Sequence, residues 1–198
     1  MEPFRSVRGG GARAWLAAAE ASLLRSLVGQ IMALVEPEES AVIIDPDPAR
    51  PAGPRDAAED AELAALEAMV HGPGADSPPD DPVLARLLPD GYRDDPESAG
   101  EFRKYTEPAL RSAKYAAAQE MLDTLPDDGG RIQLTADQAL SWLKALNDVR
   151  LALGVRLGVT EEFEEQWSRL KPDDPQWTAY EVYAWLGAVQ ESLVQALH

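Results

Sequence analysis

Three times along this chain two aspartates precede a proline: Asp80-Asp81-Pro82, Asp94-Asp95-Pro96 and Asp173-Asp174-Pro175. Adjacent carboxylates can bind a divalent cation or serve as an acid–base pair. The recurring proline points elsewhere. It has no N–H to lose in the first turn of a helix, and an aspartate just before it can accept from the free N–H groups there. The repeats therefore predict helices over 82–88, 95 to about 125 and about 175 to 197, and not a metal site. Pro108 falls inside the second and should kink or divide it.

The remaining chemistry is sparse. His71 and His198 do not stand in metal-ligand spacing, and there is no cysteine to serve as nucleophile, thiolate ligand, disulfide partner or redox switch. The chain contains no GxSxG elbow, no P-loop and no GxGxxG leading out of a strand. Its 35 acidic residues supply endless carboxylate pairs, but nothing singles one out. No catalytic, cofactor-binding or metal-binding residue is expected, and no enzyme.

One stretch is chemically odd. WLKALNDVRLALGVRLGV, residues 142–159, has helical periodicity, with Trp142, Leu146, Val149, Leu153 and Leu157 on one stripe. Leu151, Val155 and Val159 fall on the far side, so the helix is apolar on two sides. Such a helix is central in a bundle or shared with a partner. Asn147, Asp148, Arg150 and Arg156 interrupt it. A charge at the edge of a core stripe has to be paired, because burying an uncompensated ion costs several kcal/mol, roughly. EFRKYTE (101–107) offers Glu101, Arg103 and Glu107 beside Phe102 and Tyr105, which read as core. The expectation is a network joining Asp148 and Arg150 to that segment, with a partner contact as the alternative role.

Other elements must position these residues. Residues 3–8 and 12–16 flank Gly9-Gly10-Gly11 and read as a hairpin. Residues 17–35 read as a helix, with Leu23, Leu24, Leu27, Ile31, Leu34 and Val35 at steps of three and four. RIQL (131–134) reads as a strand, and Thr135 as the N-cap of a helix that ends at Gly158. Arg13, Leu16, Ala18 and Ala21 recur as Arg131, Leu134, Ala136 and Ala139 at a constant offset. RIQL is thus suited to join the hairpin as a third strand. In the C-terminal helix Val182, Leu186, Val189 and Leu193 form the core side, and Trp185 lands among polar residues. There it is a candidate binding surface or a residue packed under a loop.

Between these elements, residues 45–81 hold seven of the sixteen prolines and ten acids against Arg50 and Arg55. That composition predicts a surface excursion from a single domain spanning 1–198, with an alanine-rich helix near 57–70 inside it and a regulatory acidic arm as the alternative. AVII (41–44) is too short to classify. The net charge of −17 makes the chain a poor default binder of nucleic acid. Arg5, Arg8 and Arg13 on the hairpin form the only basic patch evident in the sequence. No apolar run approaches the roughly 20 residues of a membrane span, the N-terminus does not resemble a secretory signal, and a cytoplasmic location with no membrane partner is expected.

Four stretches together carry a resemblance: PFRSVRGGGARAWLAAAEASLLRSLV, ARLLPDGYRDDPESAGEFRKYTEPALRSAKYA, SWLKALNDVRLALGVRLGV and YAWLGAVQESLVQAL. They resemble the actinobacterial AosR-type oxidative stress transcriptional regulators, formerly a domain of unknown function. LNDVRLALGVRLG is the most specific part, and Asn147, Asp148 and Arg150 match the shared motif. The resemblance implies a cytoplasmic, non-enzymatic regulator that acts through protein contact, with a sigma factor as the implied partner. It also implies gene neighbourhoods shared with a Clp protease adaptor. Redox sensing in that family is attributed to cysteines, and this chain has none, so thiol sensing does not transfer.

The expected architecture is mainly α, with five or six helices, a small N-terminal hairpin and residues 131–134 as a third strand. The expected function is transcription regulation through protein–protein contact, as a homodimer. Direct DNA binding through the arginine hairpin and an adaptor role in Clp proteolysis are the alternatives. Arg103, Asn147, Asp148, Arg150 and Trp185 are the structural or partner-contact candidates.

Overall fold

A computed structural model describes residues 2–8, 10–37, 77–92, 94–171 and 173–198. The excursion up to residue 76, with AVII, the alanine-rich 57–70 helix and His71, lies outside the described residues. Strand β1 (Glu2–Ser6) and β2 (Ala12–Leu16) form the expected hairpin. Gly10 and Gly11 adopt φ of 92° and 94°, where side chains are strained. A Cβ on Gly11 would also lie 2.1 Å from the Leu134 carbonyl oxygen, so the turn packs directly on the end of β3. That strand, β3 (Gly130–Leu134), pairs antiparallel with β2 and completes a sheet of order β1-β2-β3.

Six helices follow among the described residues: α1 (Ala18–Val35), α2 (Pro82–Leu87), α3 (Pro96–Thr124), α4 (Ala136–Leu157), α5 (Phe163–Arg169) and α6 (Trp177–Leu197). The mainly helical fold with a three-stranded N-terminal sheet matches the sequence expectation. One face of the sheet buries Phe4, Ala12, Ala14, Leu16, Ile132 and Leu134 against the helices. Phe4 meets the fully buried Trp142 edge-on at 5.8 Å, which joins sheet and bundle in one core. Trp142 satisfies its indole N–H by donating to Thr124 Oγ1 at 2.7 Å.

By length and mean hydropathy alone α1 would pass for a membrane span, a match that the sequence reading missed. Its five fully buried residues, Ala21, Leu24, Val28, Ile31 and Val35, form one stripe on the core. Each large one contributes roughly 1.5–3 kcal/mol through burial. Arg25, on another side, donates to the Leu125 carbonyl and pairs with Asp127. The helix is therefore placed as a core element of the bundle.

Asp81 and Asp95 cap α2 and α3 as their DDP motifs predict: Asp81 accepts from Val83 and Leu84, and Asp95 from Ser98. The third motif differs. Asp174 accepts from the Gln176 N–H in a local turn, and α6 starts only at Trp177. Thr135 and Gln138 form a reciprocal capping box on α4, and Gly158 closes that helix with φ 62°. Pro108 does not divide α3, which runs 29 residues through it. Arg103, Glu107 and Arg111 stitch successive turns together across the proline with ion pairs four residues apart.

Candidate functional site

Three charged side chains on α3 and α4, Arg103, Glu107 and Asp148, are buried, and each is matched. The Arg103 side chain, 5% exposed, pairs with Asp90 from the α2–α3 connection and, at 3.1 Å, with Glu107, while it also donates to the Leu88 carbonyl at 3.2 Å. Desolvation favours loss of its charge, but the hydrogen bonds to Asp90 and Glu107 outweigh that and hold its pKa above the ordinary arginine value. Glu107 is shared with Arg111, which lies 2.7 Å away and donates to the Leu34 carbonyl of α1. Further along, Lys114 donates to Asp148 of α4 at 2.6 Å, and the carboxylate side chain is 4% exposed. Burial pushes the Asp148 carboxyl above its usual range against the opposing pull of Lys114.

These contacts correct the predicted network. Asp148 does reach α3, but at Lys114 and not at residues 101–107. Arg150 turns the other way, to α6, where it donates to Gln190 Oε1 at 2.7 Å and lies 5.3 Å from the centre of the Tyr183 ring. Arg103 serves the α2–α3 connection. Asn147 and Arg156 are exposed, and Arg156 donates to Gln30 of α1 at 2.9 Å. Trp185 is half-buried and packed against the core.

Phe102 and Tyr105 are also corrected. Both are exposed, Tyr105 at 70%, and with Tyr92 and Leu110 they account for four of the six exposed large apolar side chains among the described residues. Tyr92 meets Phe102 edge-on at 5.7 Å. Asp94, Asp95, Glu97 and Glu101, all exposed, supply an acidic border. The sequence reading assigned these aromatics to the wrong side because Arg103 and Glu107 occupy the inward face. The stripe of i and i+4 positions there is ionic, which a search for apolar periodicity overlooks.

The solvent face of the sheet carries the basic patch. Arg5 stands directly opposite Arg13, Arg13 opposite Gln133, and Arg131 opposite Trp15, which is 48% exposed. Like charges opposed across strands are destabilising. Among the described residues none of these three guanidinium groups has an acidic partner.

The apolar second side of α4 faces a cleft of about 280 Å³ between α2, α4 and α6. Leu151, Val155 and Val159 line it together with Asn147, Arg150, Arg86 of α2 and Tyr183 of α6. Short helix α5, which the sequence reading missed, braces its far wall: Phe163 stacks on Tyr180 at 5.6 Å and touches Tyr183 at 4.9 Å. The signal was Phe163 and Trp167 four residues apart, followed by Trp177, Tyr180 and Tyr183 at steps of three. Sequence reasoning also missed Arg86, Lys114 and Tyr183 as site residues, since nothing local distinguishes them. Among the described residues no cluster of three or more metal-ligating side chains occurs.

The family described as "Domain of unknown function (DUF2017)" matches residues 1–197. The chain belongs to that family. Curated relatives of this DUF2017 chain include the "Oxidative stress regulator AosR" of Mycobacterium tuberculosis and of Mycobacterium bovis, each 37% identical over 93% of this chain and 81% of theirs. The "Putative oxidative stress regulator AosR" of Mycobacterium leprae is 34% identical over 93% of this chain and 82% of its own. No solved structure matches. The relatives' names support a regulatory role for this DUF2017 member.

Proposed function

We propose that this chain is a non-enzymatic cytoplasmic regulator of transcription that acts by protein contact, on a sigma factor as the resemblance implies. The observation that carries this reading is the exposure of Phe102, Tyr105 and Leu110 on the first half of α3, with Tyr92 of the α2–α3 connection edge-on to Phe102. Exposed aromatic clusters mark interaction sites, because such side chains bury much area at low entropic cost. The Arg103–Glu107–Arg111 ion pairs beneath hold the patch rigid before any partner arrives. Its acidic border, on a chain of net charge −17, selects a partner with a basic face, such as a DNA-binding domain of the transcription machinery. The same patch offers a self-complementary face for the expected homodimer. Affinity purification of the Phe102→Ala/Tyr105→Ala variant from the native host tests the reading. Loss of a transcription protein that the unaltered chain captures at physiological salt is expected. Equal recovery by both chains refutes the patch.

A second reading, direct nucleic-acid binding, is favoured by the opposed Arg5 and Arg13 beside the exposed Trp15. A gel-shift series across salt discriminates. Retention that weakens steeply with salt and falls in Arg13→Ala supports it, and no retention at low salt ends it.

A further inference from the structure

Among the described residues, the cleft on the second apolar side of α4 holds two guanidinium groups and no acid. Arg86 stands at its rim, exposed, and among the described residues it has no hydrogen-bond or ion-pair partner. Arg150 lies deeper, and among the described residues its one acceptor is the neutral Gln190. Its Nε is buried without an acceptor among the described residues. The helix behind it makes room: a Cβ on Gly187 would sit 3.8 Å from the guanidinium nitrogens, so α6 comes close to the charge without covering it. None of the nine described residues lining this cleft is acidic. Elsewhere on the same helix the opposite holds, since Asp148 has its own lysine.

Most of the remaining lining is apolar. Leu151, Val155 and Val159 form one wall, and the Tyr183 ring stands opposite, braced by Phe163. Gly154 leaves the floor open between them; a Cβ there would lie 3.4 Å from that ring. Two cations and a wall of aliphatic and aromatic carbon make an amphipathic receptor. We propose that this cleft binds a small organic monoanion, a carboxylate on a compact apolar body, with Arg86 and Arg150 taking the carboxylate and Val155, Val159 and Tyr183 the body. Its volume of about 280 Å³ suits a compact occupant. Guanidinium groups match a carboxylate's two oxygens in geometry, and a site partly closed from water strengthens the pairing. Such a site gives a cysteine-free regulator a chemical input, but its existence does not depend on the regulatory reading.

Phenylacetate is a suitable probe, with 2-phenylethanol as its neutral counterpart and inorganic phosphate as an anion without the apolar body. Amide chemical shifts of the full chain are followed by NMR up to about 10 mM probe, a range suited to a ligand of this size. The expected result is movement of amides within 147–159 and near 183 with phenylacetate, and affinities at least about tenfold weaker for the other two probes. Arg86→Ala, at an exposed position, should weaken phenylacetate about tenfold. Val159→Trp should fill the cleft and abolish binding, with an unchanged far-UV spectrum confirming the fold. Absence of shifts in 147–159, or equal binding of 2-phenylethanol or of phosphate, overturns the proposal. None of these readouts involves a protein partner, so its failure leaves the patch reading untouched.

Discussion

Two sets of charges share helix α4 and are treated in opposite ways. On the side facing α3, Asp148 is almost wholly buried and meets Lys114 at 2.6 Å. On the side facing α6, Arg150 has a neutral amide and a tyrosine ring for company among the described residues, and Arg86, which also lines the cleft, has no partner among them. Buried matched pairs add little net stability over apolar packing, but they forbid alternative registers, because any slip strands a charge. Unmatched cations beside an open cleft forbid nothing and leave capacity for an anion. The contrast separates residues that hold the fold from residues free to bind, a distinction that membership in one shared sequence motif does not reveal.

The comparison is broken most severely at the matched pair. Lys114→Met leaves the Asp148 carboxylate buried alone and should cost about 3–5 kcal/mol at neutral pH by urea unfolding. The loss depends on pH. Burial already raises the Asp148 carboxyl, and removal of Lys114 takes away what opposes that rise. A carboxyl raised on folding contributes most below its unfolded value, near about 4, and loses that contribution as pH climbs through the folded value. The Lys114→Met deficit should therefore narrow on acidification. A deficit that is flat in pH contradicts the pairing. Combining Lys114→Met with Asp148→Leu should recover most of the loss.

Arg103→Met comes next, with an expected loss of about 2–3 kcal/mol. It is milder because Glu107 retains Arg111 at 2.7 Å and Asp90 is partly open to water. The smallest effect belongs to the cleft. Arg150→Met should change stability by less than about 1 kcal/mol, since it removes a charge with no ionic partner and keeps the aliphatic stem. If thermal or urea unfolding shows Arg150→Met to be as damaging as Lys114→Met, the two sides of α4 are not different in kind.

Much of the fold was legible because its signals are local. The Gly-rich reversal, the two DDP caps at 81 and 95, the Thr135 box and the Gly158 stop each act within a few residues. The repeated pattern in β2 and β3 even pointed to their pairing. Where local signals conflicted, the reading failed. Pro108 argued for a break, but ion pairs on both sides of it carry α3 through. Phe102 and Tyr105 argued for a core face, but the inward stripe is made of Arg103 and Glu107.

The sequence by itself determined most of the helices and strands, that Arg150 stands at the edge of a core stripe, and that no thiol chemistry is available. Those conclusions follow from dihedral preferences, capping and residue identity, which need no distant neighbour. Only the tertiary structure decided that Asp148 belongs to Lys114 and that Arg150 is left to a cleft. A charge's partner is set by how rods separated by 34 or 40 positions in the chain register against each other. That registration depends on the packing of every side chain between them, and no short stretch of sequence encodes it.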